Sequence, residues 1–222
     1  MESMPPGDCN AELINGKADL GLAPVITLLQ NQNLQRIGSI GICSKKYVHS
    51  VGVFSNVPLN QINKIYLDSE SRTSVFLLKW LCKHYWNVTP IFEDLSNSNF
   101  LFEKKTDCGY LLIGDKALKN HGKWNYYSDL VEAWNHCTGL PFVFAAWIGY
   151  REKIPYDFIY AFNRCQLEFI NKINTLHHYP EATAFGRELT IKYLTEYISY
   201  PIESEEEKAI ELFLSEIRKF HS

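Results

Sequence analysis

The junction from Lys64 to Cys82 sets the tightest limit on what this chain can fold into. A β-type run, Lys64-Ile65-Tyr66-Leu67, passes through Asp68-Ser69-Glu70-Ser71-Arg72-Thr73-Ser74 into a helix-type run, Val75-Phe76-Leu77-Leu78-Lys79-Trp80-Leu81-Cys82. Strand, polar turn and amphipathic helix in that order make a βα unit. The turn leaves backbone N–H groups at a helix start, beside Arg72 and several hydroxyls. Such a place seats a carboxylate or a phosphate. The plainer role for Ser71 or Thr73 is to cap the helix, with Arg72 a surface charge.

The same reading along the chain predicts more units of this kind. Asn10 to Lys17 suits a short helix, and Ala18 to Pro24 a buried strand ending at proline. Ser39 to Cys43 and Val48 to Phe54 read as strands, Pro58 opens a helical turn, and a helix runs from about Arg72 to Tyr85. Gly109 to Asp115 reads as a buried strand, Asp129 to Cys137 as a helix, and Phe142 to Ile148 as the strongest strand. From Tyr156 to Phe220 the pattern is almost wholly helical, broken near Leu176 to Pro180 and at Tyr200-Pro201; Glu203 to Glu207 opens the last helix. Short β/α units followed by a helical tail predict an α/β protein.

With 222 residues, 46% of them hydrophobic, the chain can bury one large core or two smaller ones. A net charge of −3 and a pI near 6.2 give no basic field, which argues against nucleic acid as a partner. An acidic ligand must then be held by local dipoles and single cations. The longest apolar run, Leu140 to Ile148, falls short of the roughly 18 residues that cross a bilayer, so no membrane role is expected. The opening residues carry neither a basic nor an apolar leader region, and the six scattered cysteines form no Cys-x-x-Cys pair. The expectation is a cytoplasmic protein with reduced cysteines.

Several short strings are candidates for chemistry. His49-Ser50-Val51-Gly52 puts a hydroxyl and a glycine on a strand, where a ligand can approach the backbone. Gly114-Asp115 closes a buried strand, and open α/β sheets bind ligands at strand carboxyl ends. Gly139-Leu140-Pro141-Phe142 adds a tight turn beside an aromatic ring. Asp68 and Asp115 each end a strand; each suits a base, a group that orients a ligand hydroxyl, or a cap of the following turn. His49 suits either the site or plain packing. Neither Cys82-Lys83-His84 nor His177-His178 has metal-ligand spacing, and no metal site is expected. Gly-x-Gly-x-x-Gly, P-loop and Gly-x-Ser-x-Gly strings do not occur, which leaves nucleotide and acyl-serine chemistry without support.

Taken in order, five strings closely resemble the chorismate dehydratases of the futalosine route to menaquinone. They are Ala18-Asp19-Leu20-Gly21-Leu22-Ala23-Pro24-Val25, His49-Ser50-Val51, Tyr66 to Val75, Leu111 to Leu118, and Thr138 to Trp147. Ser71-Arg72-Thr73-Ser74 and Gly139-Leu140-Pro141-Phe142-Val143-Phe144-Ala145 are the most specific; the likeness runs from about Pro5 to the C-terminus. The resemblance implies a two-lobed fold like type II periplasmic binding proteins, with residues 1–55 and 142–222 in one lobe and 56–141 in the other. It implies a carbon–oxygen hydro-lyase that converts chorismate into 3-[(1-carboxyvinyl)oxy]benzoate and water in a cleft between lobes, with no cofactor. Ser50 matches a family active-site position, and Ser71, Arg72, Thr73, Ser74, Gly114, Asp115, Gly139, Leu140 and Pro141 fall in the strings expected to bind substrate. Family members also begin with a strand and a Ser-Tyr-Leu-Asn-type turn, which does not precede Met4-Pro5-Pro6. By that comparison the first lobe lacks about 30 to 40 residues, roughly one βα unit. The alternative is a protein of the same fold that binds a small carboxylate without turning it over.

Overall fold

The computed structural model describes residues 6–68, 71–95, 107–173 and 186–220. The chain divides into two compact units, Met1–Lys45 with Leu140–Ser222, and Lys46–Gly139. The second begins before Ser50 because strand β3, Val51–Ser55, pairs with β6, Cys108–Ile113, and β7, Tyr126–Asp129, of that unit. Lys46 to Ser55 therefore departs from the sequence-based division, which put it with the first lobe; pairing partners that lie far along the chain leave no local mark.

The first unit is built on an antiparallel sheet in the order β1-β8-β2-β9, from Leu20–Pro24, Phe142–Tyr150, Leu34–Ser44 and Ser199–Pro201. Helix α1, Pro6–Ile14, lies so close to β1 that a Cβ on Gly21 would meet Cys9 Sγ at 2.5 Å. Helix α7, Ser204–Phe220, packs on β8 through an edge-to-face pair of Phe213 and Phe142, centroids 5.0 Å apart. Its start is closed by the Glu206 side chain, which accepts the Glu203 N–H at 3.1 Å. Helix α5, Tyr156–Ile173, crosses β2 at Gly38, whose positive φ of 82° marks an irregular stretch of that strand. Helix α6, Arg187–Lys192, runs into a π-turn at Tyr193–Tyr197 and then β9. The break expected near Leu176 to Pro180 lies outside the described residues.

The second unit carries the mixed sheet β5-β4-β6-β3-β7, from Ile91–Asp94, Lys64–Leu67, Cys108–Ile113, Val51–Ser55 and Tyr126–Asp129. Strand β4 is parallel to β5 and β6, whereas β3 is antiparallel to β6 and β7. Stacked Tyr66 and Tyr110 share one face with Phe54 and Leu112, against Trp124 and Ala117. Helices α2, Arg72–His84, and α4, Leu130–Thr138, pack together through Trp80 and Trp134, 5.3 Å between rings. Among the expected boundaries that move, those of β3 and β6 bear on the site. Strand β3 starts at Val51 rather than Val48 because His49 adopts a left-handed φ of 59°, which ends an extended run. Strand β6 stops at Ile113, because Gly114 turns at φ 57° and Asp115 opens the short helix α3, Asp115–Leu118.

Candidate functional site

Strand directions decide which candidate residues meet. β4 and β6 run parallel, so Asp68 and Gly114 leave the sheet at the same edge. β3 runs the other way, so Ser50, at its start, comes to that edge too; the Gly114 N–H donates to the Ser50 carbonyl at 2.7 Å. The end of β7 joins them, since Gly52 pairs with Asp129. The N-terminus of α2 follows Asp68 by three residues. Ser50, Asp68, Ser71 to Ser74, Gly114 and Asp115 thus gather at the carboxyl ends of two parallel strands, where open sheets take ligands.

Ser71 is the N-cap of α2: its Oγ accepts the Ser74 N–H at 3.3 Å and lies 3.0 Å from the Ser74 hydroxyl. Its carbonyl accepts the Val75 N–H, which closes the first turn. Capping therefore uses the Ser71 hydroxyl and the Ser74 amide. The Arg72 and Thr73 N–H groups bond to no described residue, and they are the donors the helix start offers. Thr73 is only 1% exposed, yet its Oγ1 finds no hydrogen-bond partner among the described residues. A buried hydroxyl without a partner costs free energy. Arg72 is exposed.

Asp68 is buried, and its Oδ2 takes Lys116 Nζ at 2.9 Å. Lys116, half-exposed on α3, brings a positive charge to the edge, and sequence reasoning assigned it no role. Asp115 is exposed in the first turn of α3. Ser50 is buried at the end of a turn that is held on several sides. Asp129 Oδ2 accepts the Val48 N–H at 3.0 Å and the His49 N–H at 2.8 Å, and His121 Nε2 donates to the His49 carbonyl at 2.6 Å. Neither Asp129 nor His121 was singled out from sequence. An aspartate before an apolar run signals a cap, but bonds to residues some 80 positions earlier leave no local pattern.

Gly139 is not brought to this edge. It caps the C-terminus of α4 in the left-handed conformation, with φ 71°, and its N–H donates to the Asn135 carbonyl at 2.8 Å. Since α4 starts at Leu130, next to the site edge, its far end stands about 13 Å along the helix. Leu140 and Pro141 belong to the other unit and lead into β8.

The menaquinone biosynthesis family model matches residues 2–219. A chorismate dehydratase of Thermus thermophilus is 30% identical over 168 residues, which are 68% of this chain and 61% of that protein. One from Campylobacter jejuni is 34% identical over 125 residues, 54% of this chain and 53% of its own length. The chain thus spans a little over half the length of the curated relatives it matches. Among solved structures, protein AF1704 of Archaeoglobus fulgidus aligns over 99% of this chain and 85% of its own, with TM-score 0.71 and 14% identity. The periplasmic aliphatic sulphonate binding protein SsuA of Escherichia coli aligns over 99% and 76%, with TM-score 0.60 and 12% identity. These likenesses establish an α/β fold like that of periplasmic solute-binding proteins. With the family model matching almost end to end, the chain belongs to the menaquinone biosynthesis family.

Proposed function

We propose that the chain is a chorismate dehydratase, converting chorismate into 3-[(1-carboxyvinyl)oxy]benzoate and water for the futalosine route to menaquinone. The observation that carries this reading is the buried hydroxyl of Thr73 at the start of α2, which, like the Arg72 and Thr73 amides beside it, has no hydrogen-bond partner among the described residues. A helix start whose first two N–H donors and Thr73 hydroxyl bond to no described residue suits one carboxylate of chorismate. Lys116 places a cation at the same edge, and Ser50 is assigned to orienting the substrate or contacting the leaving hydroxyl. The reaction removes a ring proton and the neighbouring hydroxyl, and aromatisation supplies the drive. The protein's share is to align the breaking C–H and C–O bonds and to stabilise developing charge. The substrate's own enolpyruvyl carboxylate is the proposed proton acceptor, since the Asp68 carboxylate is engaged by Lys116. No cofactor enters this scheme. The six cysteines are all free thiols, in keeping with a cytoplasmic location.

The same engaged Asp68 favours one second reading, a carboxylate-binding protein without turnover, because hydroxyls and amides bind anions without removing protons. Incubation with chorismate separates the two. Growth of the aromatic product's absorbance, reduced by Ser50→Ala, supports the dehydratase. Binding without product supports the second reading, and turnover by Ser50→Ala at the unmodified rate removes Ser50 from the mechanism.

A further inference from the structure

The turn that carries Ser50 belongs to no regular element, so something other than a helix or ladder must fix it. Its tethers among the described residues include the Gly114 N–H on the Ser50 carbonyl, His121 Nε2 on the His49 carbonyl, and Asp129 on the Val48 and His49 N–H groups. Asp129 is the hub. It is 4% exposed, and its two oxygens have separate duties. Oδ1 accepts the Val131 and Glu132 N–H groups at 2.8 and 3.2 Å, which is all that an N-cap of α4 requires. Oδ2 accepts three donors, none of them in α4: the N–H groups of Val48 and His49, and the Tyr127 hydroxyl at 3.0 Å. The amide bond at His49 accompanies a left-handed φ that side-chain-bearing residues rarely take. The rings of Tyr47, His121 and Tyr127 pack around the His49 ring, with centroids 5.0, 5.4 and 6.3 Å away, and leave the turn little room to rearrange.

We infer that Asp129 is a positioning residue for Ser50, its buried carboxylate tying the Val48–His49–Ser50 turn to the start of α4 and so setting where the Ser50 hydroxyl stands. The inference rests on the dehydratase reading in one respect, that Ser50 touches the substrate.

The test uses the full chain and Asp129→Asn. Asparagine caps helices as well as aspartate and is nearly the same size, so α4 keeps its cap. Its amide nitrogen must then face the Val48 and His49 N–H groups, donor against donor. For a hydroxyl displaced by about an ångström, the expected loss in kcat on chorismate is about ten- to a hundredfold, with KM within about threefold. Val48 and His49 amides should exchange at least about tenfold faster, while α4 amides keep their protection. Because the effect acts through Ser50, Ser50→Ala with Asp129→Asn should be no slower than Ser50→Ala alone. Losses that multiply, or a wild-type kcat in Asp129→Asn, overturn the inference. Ser50→Ala at the wild-type rate overturns the underlying reading as well; a slow Ser50→Ala beside an unaffected Asp129→Asn sinks only the positioning role. If Asp129→Asn does not fold, Tyr127→Phe removes one donor from the same oxygen and keeps both amide bonds and the cap. A several-fold loss that vanishes in the Ser50→Ala background supports the inference, and a loss that persists there contradicts it.

Discussion

Replacing Thr73 by valine should make the protein more stable and its ligand binding weaker. The Thr73 Oγ1 is buried and bonds to no described residue. A buried hydroxyl left without a partner costs about 1–3 kcal/mol. Valine puts a methyl group in the same place with nearly the same shape, so most of that cost disappears; allowing for imperfect fit, the gain is about 1 kcal/mol. In a chain of this length that raises the midpoint of thermal unfolding by about 2–4 °C. The bound state moves in the opposite direction. A hydrogen bond to a charged carboxylate contributes about 1.5–3 kcal/mol, so its loss weakens Kd by about ten- to 150-fold. Thermal unfolding without ligand and calorimetric titration with chorismate measure the two quantities separately. A Thr73→Val protein that melts lower and binds chorismate as tightly as the unmodified chain would falsify the assignment of Thr73 as a ligand contact.

Gly139→Ala should lower the unfolding midpoint by about 2–4 °C, the equivalent of about 1 kcal/mol. Open space surrounds the added methyl, so the cost is that of a left-handed φ alone, and an unchanged midpoint would refute the capping role. Lys116→Met removes the cation from the buried Asp68 carboxylate and should cost about 1–3 kcal/mol in urea unfolding. A loss equally large in an Asp68→Asn background would show that the pair is not its cause. Alkaline pH gives a further check. Burial pushes the Cys82 thiol and the Tyr200 hydroxyl each up to about 12, from ordinary values of 9.0 and 10.0. Across that window the folded state holds protons that the unfolded chain has released, so stability is level below pH 9 and falls from there to 12. Urea midpoints that stay flat from pH 8 to 11 would contradict it.

Local patterns were legible wherever a residue's neighbours in sequence decide its state. β4 falls at Lys64–Leu67 as read, α2 starts at Arg72, and the helix read from Asp129 to Cys137 lies within one residue of α4, Leu130–Thr138. β5, β7 and β9 were not read from sequence. β5 has an exposed, mixed surface, β7 is Tyr-Tyr-Ser-Asp with polar residues at both ends, and β9 is three residues ending in proline. Each is a strand because a neighbour pairs with it, and that information is not local. The site shows the same division. The candidate anion seat at Ser71 to Ser74 is legible in the string, as is the competing capping role, which Ser71 takes up with the Ser74 amide. The gathering of Ser50, Asp68 and Gly114 at one edge follows from strand direction, which a string does not carry. Lys116 and Asp129 act through partners 48 and 80 or more positions away, and local spacing says nothing about either.

The start of α2 is proposed to grip a carboxylate of the substrate. Amide NMR of the full chain during a chorismate titration tests it most directly. The Arg72 and Thr73 amide protons, which bond to no described residue in the ligand-free chain, should move downfield by more than that of Ser74, already held by Ser71. Saturable shifts elsewhere, with Arg72 and Thr73 unmoved, would contradict the account.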